Sequence, residues 1–239
     1  MLNHKTRFAP SPNGKLHIGH AFSAIISEKI AKKYDGEFLV RIEDIDASRS
    51  SKKNIKRIID DLKWLNIKFE DKKIRRQSKF YDIYEHFLKK LRDLNLIYPC
   101  WATRSEIKKS IIQNQNSYRN WNIDPDGQYI YPGIYKNISS AERSGLMLSG
   151  KDFSWRLDMQ KAINYAENKL NSKIYFTEIG LEPIGKRMAE PQLYGDIIIA
   201  RKDIPTSYHL AVTIDDFQQN ISIVSRGCLL YTSPSPRDP

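Results

Sequence analysis

The stretch Arg7-Phe-Ala-Pro-Ser-Pro-Asn-Gly-Lys-Leu-His-Ile-Gly-His20 constrains the fold more than any other part of the chain. It reads as a short strand over residues 7–9, a turn rich in Pro, Ser and Gly, and then the opening of a helix. A strand that feeds a helix N-terminus through such a turn is a place to hold phosphate. Free backbone N–H groups and the positive end of the helix dipole both face a ligand there. His17 and His20 add side-chain donors at the same end.

The residues from Phe22 to Leu91 extend this unit. Phe22, Ile25, Ile26 and Ile30 recur at helical spacing, as do Ile55, Ile58, Ile59, Leu62 and Leu65. A third stripe runs through Phe80, Ile83, Tyr84, Phe87, Leu88 and Leu91. Between the first two lies Glu37-Phe-Leu-Val-Arg-Ile-Glu43, an apolar run of strand length. Strand, helix, strand, helix is the order of an α/β domain with a parallel sheet, in which ligands sit beyond the carboxyl ends of the strands. Those ends fall at Ala9–Pro10 and Glu43–Asp44. Arg49-Ser-Ser-Lys52 reads as the entry to the second helix, with Ser50 or Ser51 as its cap.

From about residue 96 to 191 the periodicity loosens, and Asn, Gln, Ser and Tyr crowd residues 113–135. This reads as an inserted α+β subdomain. Strand signals return at residues 195–200, 208–214 and 221–224, expected to be the second half of the first sheet. The expected organisation is residues 1–97 as the first half of a nucleotide-binding domain, 98–192 as the insertion, and 193–227 as an incomplete second half. Residues 228–239 turn rich in Pro and Ser and are expected to be a non-native tail.

A chain of 239 residues can bury a sizeable core. Its net charge of +11 favours a polyanionic partner but does not separate a nucleic acid from an acidic membrane surface. Two cysteines, Cys100 and Cys228, imply no disulfide framework. No apolar run is long enough to span a bilayer and no signal core opens the chain, so a cytoplasmic protein without membrane contact is expected.

The motifs carry a resemblance. Arg-Phe-Ala-Pro-Ser-Pro in register with His-Ile-Gly-His resembles the signature of class I aminoacyl-tRNA synthetases of the glutamate branch, whose catalytic domain is a Rossmann-like parallel sheet. Arg41-Ile-Glu-Asp-Ile-Asp46 and Ser207-Tyr-His-Leu-Ala-Val-Thr-Ile-Asp-Asp216 make residues 5–227 most similar to the glutamyl-Q tRNA(Asp) synthetases, short paralogues of glutamyl-tRNA synthetase. Ile45 and residues 206–212 favour that paralogue, because the longer enzymes usually carry Thr at position 45.

The resemblance implies ATP-dependent activation of L-glutamate to glutamyl-adenylate, then transfer to the queuosine base in the anticodon of tRNA(Asp). His17 and His20 would donate to the ATP phosphates. Pro10 and Gly19 would complete the ATP site, with Gly19 leaving room for the adenine ring. Free glutamate carries two carboxylates and one ammonium, so a selective pocket needs two cations and one anion. The family positions supply Arg7 and Arg226 for the carboxylates and Glu43 for the ammonium. Tyr208 would offer a hydroxyl, and Ala9 and Ser11 would line the pocket.

Magnesium is expected to arrive with ATP rather than on Asp215-Asp216. The chain departs from its relatives at a Cys-x-Cys…Tyr…Cys zinc site. Here Cys100 remains, Ala102 stands at the second position, and the later stretch reads Tyr131-Pro-Gly-Ile-Tyr135, so no zinc is expected. It also lacks the Lys-x-Ser-Lys loop that follows the second half of the sheet in this class. The expected partners are glutamate, ATP and a queuosine-bearing tRNA(Asp), acting on a monomer. Two alternatives stay open: a catalytic fragment that charges tRNA(Glu), and a non-catalytic nucleotide- or RNA-binding module.

Overall fold

The computed structural model describes residues 4–117, 121–180 and 184–225. Arg226, expected in the glutamate site, and the tail from Cys228 lie outside the described residues. The chain divides into two compact units, residues 1–87 with 204–239, and residues 88–203.

The first unit opens with β1 (Lys5–Phe8), α1 (Ile18–Lys33), β2 (Glu37–Ile42), α2 (Lys52–Trp64), β3 (Arg75–Arg76) and the first turns of α3 (Tyr81–Asp93). The strands form a parallel sheet in the order β1-β2-β3, with Arg7 beside Leu39 and Arg41 beside Arg75. β2 is buried from Phe38 to Ile42, as a strand covered on both faces must be. The turn into it is tight. Glu37 N–H donates to the His4 carbonyl at 2.8 Å, and a Cβ on Gly36 would strike that same carbonyl.

The apolar core joins Phe8, Phe38, Val40 and Ile42 of the sheet to Ile55, Ile58 and Leu62 of α2. The α2 stripe is therefore the one its sequence spacing predicts, and Ser51 caps the helix by accepting from Asn54 N–H at 3.1 Å. α1 differs. Its fully buried face is Ala24, Ser27, Glu28 and Ala31, while Phe22 is exposed. Small side chains let this helix lie close on the sheet, so the larger residues beside them are pushed to its flanks. The α3 stripe is also shallower than its pattern suggests, with Tyr84 its one fully buried member.

Two strand expectations are overturned. Residues 208–214 belong to α7 (Tyr208–Gln218), not to a strand. β-branched residues and an alternating Leu210, Val212 and Ile214 mimic a strand. However, Ser207 caps the segment by accepting from Leu210 N–H at 3.4 Å, and the buried Leu210, Ala211, Ile214 and Asp215 follow helical spacing. Residues 221–225 are neither helix nor strand. They run beside β1, with Ser222 and Ile223 N–H both donating to the Lys5 carbonyl at 3.1 Å.

The second unit comprises the rest of α3, β4 (Ile97–Cys100), α4 (Arg104–Ser117), α5 (Ser140–Leu148), β5 (Ser154–Leu157) and α6 (Met159–Leu170), followed by β6 (Tyr175–Glu178), β7 (Gly185–Met188) and β8 (Ile198–Ala200). β4, β5 and β8 form an antiparallel sheet, and β6 pairs with β7. The signal at 195–200 is thus a strand, but it joins β5 here instead of extending the parallel sheet.

This unit is held by a buried polar network. Tyr98 Oη donates to Asp196 at 2.7 Å, and Lys136 bridges Asp158 and Asp196 at 3.0 and 2.9 Å. The Arg156 guanidinium lies 3.8 Å from the centre of the Tyr131 ring. The Tyr131 hydroxyl accepts from Tyr135 N–H at 3.1 Å, and Cys100 Sγ points to it at 3.3 Å. The positions that resemble zinc ligands are therefore joined by a thiol–phenol hydrogen bond. One thiol and two tyrosines do not make a tetrahedral zinc site, and no group of three or more His, Cys, Asp or Glu side chains among the described residues could hold a metal ion. Elemental analysis of purified protein is expected to show no stoichiometric zinc; one zinc per chain would refute this reading of Cys100.

Candidate active site

The carboxyl ends of β1 and β2 meet the N-terminus of α1 in the first unit. Beyond β1 the chain passes through Ala9 and Pro10, and Glu43 N–H donates to the Pro10 carbonyl at 3.0 Å, tying the two strand exits together. Asn54 of α2 donates to the Pro12 carbonyl at 3.1 Å and fixes the turn that carries Ser11. Ser11 is exposed and Ala9 half-buried.

His17 is the N-cap of α1. Its Nδ1 accepts from Gly19 N–H at 3.1 Å, while His20 Nδ1 accepts from His17 N–H at 3.2 Å, a reciprocal capping box made by two imidazoles. The arrangement fixes the tautomer. An Nδ1 that accepts carries no proton, so each neutral ring holds its proton on Nε2. Burial, followed by the neighbouring His17, lowers the pKa of His20 and keeps it neutral. The rings pack against each other at a tilt of 41°, with centroids 3.9 Å apart. The start of α1 thus offers two Nε2–H donors at the positive end of a helix dipole, a fit for phosphate.

Beside it runs a ladder of charges. Arg41, at the end of β2, is fully buried. Its Nη1 donates to Asp216 Oδ1 at 2.6 Å and to Gln219 Oε1 at 3.1 Å, and its Nη2 reaches Glu43 Oε1 at 3.5 Å. Arg7 Nε donates to the same Asp216 oxygen at 3.2 Å. Asp215, also fully buried, accepts from Arg75 Nε at 2.7 Å, Gln77 Nε2 at 2.8 Å and Tyr84 Oη at 3.0 Å. Asp44 is likewise committed, receiving Arg76 Nη2 and Ser78 Oγ, both at 2.8 Å.

Glu43 differs from these carboxylates. It is buried, yet among the described residues its carboxylate has only the long contact to Arg41 at 3.5 Å. Burial raises its pKa to about 7, against the opposing pull of Arg41 and Arg7. A desolvated carboxylate with spare acceptor capacity is suited to receive a cation.

Of the residues singled out by sequence, Arg7, Ala9, Pro10, Glu43, Gly19, His17 and His20 cluster at these strand and helix ends. Tyr208 stands at the first position of α7, more exposed than a strand aromatic would be. Sequence reading missed the bracing role of Arg41, Asp215, Asp216, Arg75 and Tyr84. One signal was available: an arginine inside the apolar run Phe-Leu-Val-Arg-Ile must be paired if that strand is central.

Residues 3–233 match the family described as tRNA synthetases class I (E and Q), catalytic domain. The chain belongs to this family. The match runs past Gly227, the point at which the motif resemblance ends. A glutamyl-Q tRNA(Asp) synthetase from Rhodobacter capsulatus is 34% identical over 93% of this chain and 76% of its own length. A second, from Janthinobacterium, is also 34% identical, with 69% of its length covered. Glutamate–tRNA ligase 2 of Syntrophus aciditrophicus is 33% identical, but the chain spans only 43% of it. Among solved structures, a glutamate-tRNA synthetase from Elizabethkingia anophelis superposes with a TM-score of 0.71 at 23% identity, covering 93% of this chain and 44% of that one, which supports the class I synthetase fold. The α1 N-terminus and the β1 and β2 ends lie within the matched catalytic domain.

Proposed function

We propose that this class I synthetase domain activates L-glutamate with ATP and passes the glutamyl group to the queuosine base of tRNA(Asp). The observation that carries the reading is Glu43. It is a buried, under-bonded carboxylate placed between an arginine-bearing strand end and a helix start with two imidazole donors. An amino acid with an ammonium and two carboxylates complements that set.

In the reaction, an oxygen of the glutamate α-carboxylate attacks the α-phosphorus of ATP. The bond from that phosphorus to the bridging oxygen of the β-phosphate breaks, and pyrophosphate leaves with its electron pair. The chain contributes position and charge. Glu43 holds the ammonium, Arg7 a carboxylate, and His17 and His20 donate Nε2–H to phosphate oxygens. Because Asp215 and Asp216 are already engaged by arginines, magnesium is assigned to the ATP phosphates rather than to this pair.

Ile45, the run 206–212 and the glutamyl-Q relatives support the queuosine acceptor. The ligase relatives, at almost equal identity, support a second reading in which tRNA(Glu) is charged. Glutamate-dependent ATP–pyrophosphate exchange on the full-length gene product separates the two. Exchange without tRNA, followed by labelling of queuosine-bearing tRNA(Asp), is the expected result. Exchange that requires tRNA(Glu) would move the assignment to the second reading.

A further inference from the structure

Asp215 and Asp216 are consecutive on α7, and a helix sends consecutive side chains about 100° apart. The two carboxylates accordingly face different structures. Asp215 turns inward to Arg75, Gln77 and Tyr84 and pins α7 to the sheet. Asp216, partly exposed, takes the Nε of Arg7 and the Nη1 of Arg41 on a single oxygen.

This sharing has two consequences for the ligand site. Held through Nε, the Arg7 guanidinium keeps both terminal nitrogens without a partner among the described residues. That is the edge an arginine uses for bidentate pairing with a carboxylate. Meanwhile Asp216 holds Arg41 at 2.6 Å, and Arg41 stands off Glu43 at 3.5 Å. Two other carboxylates lie within reach of this buried guanidinium, Asp215 at 3.8 Å from its Nε and Glu43 at 3.5 Å from its Nη2; Asp215 is already engaged by Arg75, Gln77 and Tyr84, so without the pull of Asp216 the guanidinium would turn to Glu43. Glu43 would then be neutralised from inside the protein instead of by a ligand ammonium.

We propose that Asp216 is a positioning residue for the amino-acid site: it aims Arg7 at a ligand carboxylate and keeps Arg41 off Glu43. The inference rests on the glutamate-activating reading. A simple charge effect would have the opposite sign, because deleting an acidic group near an anionic ligand favours binding of that ligand.

The test is calorimetric titration of L-glutamate and, separately, of ATP into the wild-type protein, Asp216→Asn and Asp216→Glu, with melting temperatures recorded alongside. Asp216→Asn is expected to weaken glutamate at least tenfold and to leave ATP affinity within twofold. Asp216→Glu, which keeps the charge, should recover part of the loss. Glutamate binding that is unchanged or tighter in Asp216→Asn would overturn the proposal and leave the function intact. A parallel fall in glutamate affinity, ATP affinity and melting temperature would overturn it in favour of a purely structural role. Wild-type protein that binds ATP but no glutamate would overturn both the proposal and the reading beneath it.

Discussion

Replacing Glu43 by Gln is expected to weaken glutamate binding and, at pH 8, to stabilise the ligand-free protein. A hydrogen bond to a charged group contributes about 1.5–3 kcal/mol, so the affinity loss should be about ten- to a hundredfold, with ATP binding little changed. The stability gain follows from burial. Glu43 has a folded-state pKa near 7 against an ordinary 4.5, so between those pH values the folded state holds a proton that the unfolded chain has released. Stability therefore falls as pH rises through that window, and above it the full cost of a buried charge is present. Removing the charge should return on the order of 1–3 kcal/mol at pH 8 and flatten the pH slope. The same proton makes wild-type glutamate affinity fall as pH drops from 7 toward 5, a dependence absent from the variant. Urea unfolding at several pH values and calorimetry check both halves. Equal losses for glutamate and ATP, or identical pH slopes in the two proteins, would refute the role of Glu43.

The second large effect is expected at the α1 N-terminus, where His17 has two duties that substitution can separate. Alanine at position 17 removes both the cap, costing about 0.5–2 kcal/mol of stability, and the phosphate donor. Asparagine is a strong N-cap residue but cannot place a donor where Nε2–H stands. His17→Asn should therefore fold with near wild-type stability and lower the activation rate about 10²–10³-fold, the scale of losing one oxyanion donor. His20→Ala should show a similar loss of rate. Single-turnover formation of the adenylate by the full-length enzyme is the measurement, and a His17→Asn variant that keeps its rate would show that the ring serves only as a cap.

Much of the site at the β1 and β2 ends was legible because local chemistry dictates it. The turn before His17, the apolar run before Glu43 and the α2 stripe each leave a periodic or capping signature in a few consecutive residues. What escaped was non-local. Nothing near Asp215 and Asp216 in the chain says that Arg7, Arg41, Arg75 and Tyr84, more than a hundred positions away, will close around them. Residues 208–214 were misread because β-branched content outweighed a weak cap signal, and helix packing decided otherwise. In α1 the large apolar residues carry the helical spacing, while the contact face is built from Ala24, Ser27 and Ala31.

The buried Arg41 has a consequence for any attempt to redirect this enzyme to another amino acid. Around it Arg7, Arg41 and Arg75 are matched by Glu43, Asp215 and Asp216, three positive charges against three negative ones. A single substitution at Arg41 or Asp215, the two fully buried rungs, strands a charged partner in the interior, so variants changed at either one alone should be lost at folding before selectivity can be screened. Libraries in which opposite charges are exchanged or deleted together keep the balance, and new specificities should emerge from those double changes.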